Sequence, residues 1–410
     1  MNSDPLPPWS IPSAEAWKRG HMLDRATKEH FERSLLAPYA LFSSESKGRA
    51  HAEEDDDLRT CWERDRDRVI HCTAFRRLMY KTQVLVNSDG DHKRTRLSHS
   101  LEVAQVARSV GSALGLNEVL CETLALAHDI GHPPFGHRGE TALDALMQSR
   151  GGFRHNNQVL RVVDQLERRS PDYPGLNLTR EVRESLLKNE PGEQWPKEFR
   201  PRPVRPYLEA QVVDLADSTA YNVHDIEDGL VAGMFTEEQL EQACALWLGA
   251  RESVELRHPG FLEDTHDRNL RIKRITNELL KICINDLIHA SSKRIKRLGP
   301  KSADDARKIK TRQIDHSRPL KSEVTQLQKF LHKHFYRHPH LRELSRQAEK
   351  VLSALFGELL ENPSEMPAWY QEWSEEVGRH RAVCDYLAGM TDRFAQSEFD
   401  RLSGRSAPTR

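Results

Sequence analysis

Apolar residues recur at helical spacing along most of the chain, and no long run alternates strictly between apolar and polar positions. The pattern predicts an almost wholly α fold. Val69, Cys72, Phe75, Leu78 and Met79 form one stripe and predict a helix from Arg59 to about Lys81. Between them lie Arg64, Arg66, Arg68, Arg76, Arg77 and Lys81, which suit either a solvated face or a face turned to phosphate. Val103, Val106, Ala107 and Val110 mark a second helix with His99 in its first turn. Val103 stands one turn on from His99, so His99 points to the buried side. Leu124-Ala125-Leu126-Ala127 ends a third helix, capped by Asn117 and stopped by Gly131, Pro133 and Pro134. Leu143, Leu146 and Met147 belong to a fourth. Leu208, Val212, Leu215, Ala216 and Ala220 predict a long helix from Tyr207 to about His224. Ile272, Ile275 and Leu279, then Val351, Leu355 and Leu359, carry helical spacing into the C-terminal part.

Loops are expected between these elements. Pro5, Pro7, Pro8 and Pro12 resist helix, and residues 43–48 read as loop, so residues 1–58 form a partly irregular N-terminal arm. The acidic run Glu53–Asp57 reads as a solvated or mobile segment. Residues 87–95, 170–180 and 189–206 are further loops, with Thr179 capping the helix that follows. Residues 293–312 are strongly basic and contain no aromatic residue. That stretch suits a solvated loop or an anion or nucleotide contact, but not a stacking platform for single-stranded nucleic acid.

Composition narrows the class. The chain has 410 residues, 37% hydrophobic and 30% charged, with a formal net charge of -1. This is the make-up of a soluble globular protein, and its overall charge does not indicate a nucleic-acid binder. Six scattered cysteines without a C-x-x-C pair read as reduced thiols, neither a disulfide frame nor a zinc site. No signal-peptide pattern and no apolar run of roughly 18 residues is seen, so a cytoplasmic location without membrane contact is expected.

The chemistry gathers around His128-Asp129-Ile-Gly-His132-Pro-Pro-Phe-Gly-His137-Arg-Gly-Glu140. A buried helix delivers His128 and Asp129 at its C-terminal end, and His137 and Glu140 then share one face of a new helix. A single buried histidine is more often a hydrogen-bonded core residue than a ligand, so the partners decide. Asp217, Tyr221 and Asp225 fall on one face of the long helix, and Asp217 sits among Val213, Leu215 and Ala216. An acid there is costly to bury unpaired, and a metal accounts for it. His99, His128, Asp129 and Asp217 offer two imidazoles and two carboxylates, a set suited to Mn²⁺, Mg²⁺, Fe²⁺ or Zn²⁺. Such a centre polarises a phosphoryl oxygen and activates water. Arg96 lies one turn before His99, and a cation beside a metal site is tolerable when an anion such as phosphate binds there too. His155 follows the Gly151-Gly152 turn, where a plain surface-loop role is equally open.

In this order the residues resemble the HD-domain phosphohydrolases, and the central run resembles the deoxyguanosinetriphosphate triphosphohydrolase (dGTPase) and dGTPase-like branch. Supporting segments are Phe75-Arg-Arg-Leu, Lys81-Thr-Gln-Val, Arg96-Leu-Ser-His-Ser-Leu-Glu-Val-Ala, Gly151-Gly-Phe-Arg-His-Asn, Gly175-Leu-Asn-Leu-Thr, Asp217 through Asp225, and Asp385-Tyr-Leu-Ala-Gly-Met-Thr-Asp-Arg-Phe. They run in family order from about residue 60 to 395. The resemblance implies an all-α HD core at 59–235 with a helical C-terminal region at 236–410 packed on it. It implies hydrolysis of a dNTP at the α-phosphorus to deoxynucleoside and inorganic triphosphate, with a divalent ion, Mn²⁺ or Mg²⁺ first. The metal ligands then map to His99, His128, Asp129 and Asp217, and the catalytic pair to His137 and Glu140. Arg96 and His155 map to phosphate contacts, Tyr221 and Asp225 to the deoxyribose, and Gln83 to sugar or base. The family also implies a homo-oligomer, hexamer or tetramer, and leaves room for a nucleotide or single-stranded DNA effector. Two readings compete with it: a nucleotidase acting on other nucleotides, and a catalytically idle module that binds nucleotide or nucleic acid.

Overall fold

The computed structural model describes residues 22–83, 94–188 and 195–404. Among them, non-helical backbone pairing is limited to isolated bridges, Arg49 with Thr179, Thr82 with Thr95 and Arg168 with Gly175. The fold is all-α. In chain order, the helices that build the molecule around its site begin with α1 (Arg25–Leu35), α2 (Cys61–Ile70), α3 (Thr73–Arg77), α4 (Arg96–Ala113) and α5 (Glu118–Ala127). They continue with α6 (Gly136–Met147), α7 (His155–Arg161), α8 (Arg180–Leu186), α9 (Leu208–Val231) and α10 (Ala245–Arg257). The last are α11 (Arg268–Leu298), α12 (Arg318–Leu331), α13 (Pro339–Glu361), α14 (Arg379–Ala388) and α15 (Asp392–Leu402).

Helix α5 is the interior element. Asn117 accepts the Leu120 N–H at 3.1 Å and starts the helix. From Leu120 to Ala127 every residue except Glu122 is buried. A helix apolar on all sides belongs inside a bundle, and α2, α4, α8 and α9 pack around this one. One apolar cluster joins α2, α4, α5 and the first half of α9. A second joins the rest of α9 with α10, α11 and α12. A third sets Leu143 and Met147 of α6 against Leu352, Leu355, Val383 and Leu387. The helix carrying His137 therefore rests on the C-terminal part of the chain.

Four expectations are corrected. The stripe from Arg59 to Lys81 is broken at His71–Cys72, where Cys72 turns extended and its sulfur accepts the Phe75 N–H at 3.3 Å to start α3. Periodicity continues across the break, so spacing alone could not reveal it. The arm contains α1, capped by Asp24, whose Glu32 binds Ser43 and Asn117. Its acidic run is tied down, with Glu53 paired to Arg64 and Arg68 and Asp56 to Arg59. The basic stretch is largely helical: α11 runs on to Leu298 and ends at Gly299 in the left-handed region, and Ala303–Lys308 is a further turn of helix. Of the predicted loops, positions 87–93 and 189–194 fall outside the described residues, as does the start of the arm at 1–21. Thr179 does precede α8, but its hydroxyl is hydrogen-bonded to Asp65 rather than capping the helix.

Leu124→Ala, at a side chain 2% exposed, should cost about 2–5 kcal/mol. Leu101→Ala on α4, at 54% exposure, should change stability by less than about 0.5 kcal/mol. Equal denaturation midpoints for the two variants would dismiss α5 as the interior helix. Burial raises the Glu53 carboxyl, but hydrogen bonds to Arg68, Tyr173 and Asn177 prevail and bring it from 4.5 down to about 2. Its contribution is complete above 4.5 and is lost as pH falls through 2. The stability gap between wild type and Glu53→Gln should therefore be constant above that upper value and close below it, as followed by urea unfolding across acid pH.

Candidate active site and metal centre

Helix α5 stops at Ala127, and the turn after it carries His128 and Asp129. Gly131 makes that turn possible. A β-carbon on it would stand 2.3 Å from the Val159 nitrogen and 2.4 Å from the His155 carbonyl oxygen, so the turn lies directly on α7. The His128 Nδ1–H donates to the Ala125 carbonyl at 2.6 Å, which leaves Nε2 as the outward atom. That Nε2 is buried without a hydrogen-bond partner, 3.5 Å from Asp217 Oδ1 and 3.2 Å from Asp129 Oδ1. The first turn of α4 brings His99 Nε2 to 3.1 Å from the same Asp217 oxygen. Ligand atoms of His99, His128 and Asp217 all lie within 4.8 Å of one another. Three helices thus meet at one point.

Asp129 stands beside this trio. Its Oδ1 is 3.2 Å from His132 Nε2, and its Oδ2 accepts from Arg96 at 2.8 Å. Burial pushes the Asp129 carboxyl up, but His128, Arg96 and His132 hold it well below its ordinary value. Asp217 is likewise raised by burial and held down by Lys188 and His128. Two ionised carboxylates and an orphaned buried imidazole nitrogen fit a divalent cation, and this set can hold one.

Arg96 is 1% exposed, and beyond its bond to Asp129 its Nε and remaining terminal nitrogen have no partner. A buried guanidinium with unmet donors beside a cation site is set up for an anion. Across the turn, Phe135 takes a left-handed conformation at φ 64° and begins α6. His137 is 57% exposed, and its Nδ1 lies 3.0 Å from Glu140. The other Glu140 oxygen accepts the His155 backbone N–H at 2.9 Å and sits 2.8 Å from His155 Nδ1. An ionised carboxylate only accepts, so both imidazoles donate through Nδ1 and keep Nε2 free. Burial would raise the Glu140 carboxyl; His137 and His155 bring it far below its usual range. His132 stacks on His155 with ring centroids 3.9 Å apart. His132, His137, Glu140 and His155 form a second group close enough to share a cation.

The expected sugar contacts divide. Tyr221 stacks on Tyr336 at 6.0 Å between centroids. Asp225 is fully buried and accepts from the Tyr336 hydroxyl, and burial raises its carboxyl well above the ordinary value. Its other oxygen is unpartnered. Gln83 is buried with its Oε1 unpartnered, and its backbone carbonyl lies over Gly136 at the start of α6.

Sequence reasoning missed several neighbours. Lys188 donates to Asp217 Oδ2 at 2.8 Å. Lys81 is fully buried, donates to the carbonyls of His132 at 2.5 Å and Ala388 at 2.9 Å, and is pushed by burial down to about 7. Asp392 accepts the Phe135 N–H at 2.9 Å and the Thr82 N–H at 3.0 Å. Asp385 accepts from Gln158 at 3.1 Å and Arg161 at 2.9 Å, both on α7. The turn before His137 and the helix bearing His155 are thus held from the C-terminal segment. His132 alone had a local signal, its spacing of one turn from His128.

Known proteins resemble this chain along most of its length. Residues 96–222 match the HD domain model, and residues 314–401 match a phosphohydrolase-associated domain. A deoxyguanosinetriphosphate triphosphohydrolase-like protein of Geobacter sulfurreducens is 45% identical over 385 residues, covering 93% of this chain and 98% of that protein. A protein of the same name from Geobacter metallireducens is 46% identical, with 90% and 96% covered. Another, from Deinococcus deserti, is 44% identical, with 95% and 99% covered. With the HD residues gathered at one point and near-full-length likeness to these proteins, the chain belongs to the deoxyguanosinetriphosphate triphosphohydrolase-like family of HD-domain phosphohydrolases.

Proposed function

We propose that the protein is a metal-dependent dNTP triphosphohydrolase, cleaving its substrate at the α-phosphorus to deoxynucleoside and inorganic triphosphate. The observation that carries this reading is the meeting of His99, His128 and Asp217 beside a buried Arg96 with unmet donors. His99, His128, Asp129 and Asp217 would hold Mn²⁺ or Mg²⁺, which when bound polarises a phosphoryl oxygen and lowers the pKa of water. Lys188 holds the second Asp217 oxygen, so the first stays turned to the two imidazoles. Arg96 takes up negative charge on the phosphate chain, and His155 stands beside it at the rim.

His137 moves the proton. Glu140 fixes its Nδ1, so exchange occurs at Nε2. Attack of water at the α-phosphorus breaks the bond to the 5′-oxygen. The nucleoside leaves as an alcohol with one proton gained, and the remaining phosphates leave as triphosphate. Tyr221, packed flat on Tyr336, forms a wall against the sugar where a 2′-hydroxyl would not fit. Asp225 acts behind that wall by holding Tyr336, and Gln83 offers its free oxygen to the sugar or base.

Purified protein with Mn²⁺ and each dNTP in turn should yield inorganic triphosphate by ion-exchange chromatography. Pyrophosphate or monophosphate as the product would overturn the reading. His137→Ala should slow turnover about 10²–10⁴-fold and keep its metal, whereas Asp217→Ala should lose the metal as measured by elemental analysis. Asp392→Ala frees the turn that precedes His137 and should slow turnover roughly 10–100-fold with metal content unchanged. A full rate in that variant would remove Asp392 from its positioning role.

A further inference from the structure

The ring of His99 is engaged at both nitrogens. Its Nε2 faces Asp217 at 3.1 Å, and its Nδ1 lies 3.4 Å from the Nδ1 of His224. Asp217 and His224 stand two turns apart on α9, so one helix supplies both contacts. The two imidazoles meet edge to face, with centroids 5.4 Å apart. His224 is 6% exposed, and its Nε2 sits 2.5 Å from Glu102 Oε2. Glu102 lies one turn after His99 on α4 and reaches the surface. The contacts therefore run from Asp217 through two imidazoles to a carboxylate at the edge of the bundle.

A buried histidine bonded to a glutamate is usually a polar stitch between helices, and this one does join α4 to α9. The order of donors and acceptors gives it more to do. Burial raises the Glu102 carboxyl, but the bond to His224 and the charge of Arg94 bring it below its ordinary value. An ionised carboxylate only accepts, so it calls for the His224 proton on Nε2. A singly protonated His224 then offers Nδ1 as a bare acceptor. That acceptor is met by a proton on His99 Nδ1, and the His99 lone pair is left on Nε2, beside Asp217. His128 reaches the same tautomer through the Ala125 carbonyl of its own helix. His99 is given no such carbonyl contact and takes its orientation from a second ring.

We propose that His224, oriented by Glu102, is a positioning residue that sets the tautomer of His99 and thereby the affinity of the centre for its divalent cation. This rests on the reading of His99 as a metal ligand. The reverse arrangement would turn an N–H of His99 toward the cation, and a protonated nitrogen cannot ligate.

The test is titration of the chelator-stripped, full-length protein with Mn²⁺, followed by calorimetry. His224→Phe keeps a ring and loses both nitrogens, and should bind Mn²⁺ about 10–100-fold more weakly than wild type. Glu102→Leu should weaken binding in the same direction by less. His224→Asn restores an acceptor near the position of Nδ1 and should recover most of the affinity lost in His224→Phe. The visible absorption of bound Co²⁺, which follows ligand geometry, should change in His224→Phe and return in His224→Asn. Arg94 ties the same stretch of α9 through Asp228 at 2.7 Å and Glu227 at 3.1 Å, so Arg94→Ala loosens that stretch and spares both imidazoles. It should bind Mn²⁺ as wild type does. Wild-type affinity in His224→Phe or Glu102→Leu overturns the proposal, as does an equal loss in Arg94→Ala or no recovery in His224→Asn. A wild-type protein that takes up no Mn²⁺ would instead remove the metal reading itself, and this inference with it.

Discussion

Charge held at the half-buried Asp217 organises the molecule. One carboxylate faces two imidazoles on one oxygen and an ammonium on the other. Removing such groups from water is expensive unless each finds a partner. His99 comes from α4, His128 from the end of α5, Lys188 from just beyond α8 and Asp217 from α9. The helices must therefore converge at one point, and the apolar surface of α5 is what lets them do so. Arg96 and Asp129 repeat the arrangement next to it, with the difference that part of the guanidinium is left wanting an anion.

The two halves of the site have different mechanical support. The residues proposed to face the metal sit on α4, at the end of α5 and on α9, against the first apolar cluster. His137, Glu140 and His155 stand on α6 and α7, whose backing comes from α13, α14 and the start of α15. Lys81 links the halves by binding one carbonyl from each. A lysine so placed is held by geometry rather than by a counter-charge, which is why burial moves it down to about 7.

Much of this was legible in the chain. Helical spacing told which way His99 points, and glycine and proline told where α5 must end. An acid in the apolar face of α9 announced a partner. Other features were hidden for physical reasons. Lys188 follows α8 with a left-handed φ of 46°, and nothing in a sequence marks one lysine for such a position. Tyr336 lies in a π-helical turn after α12, where the usual helical phase no longer predicts direction. Cys72 breaks a helix without proline or glycine, by using its sulfur as a cap. The Asp385–Phe394 segment resembles its family counterpart, yet its work is done through contacts more than 200 residues away in the chain. The acidic run near residue 55 shows the same limit, since its arginine partners lie on a helix whose docking no local pattern records.

That last dependence bears on how the protein comes into being. Protein synthesis runs from the N-terminus, and early segments fold as they emerge. By the time Asp217 leaves the ribosome, the residues proposed to face the cation are all present, but Asp385 and Asp392 are still unmade. At that stage α6 and α7 lack the C-terminal helices that back them. A nascent chain can thus assemble its charged centre while the pair proposed to move the proton still lacks its backing, which arrives only with the final helices.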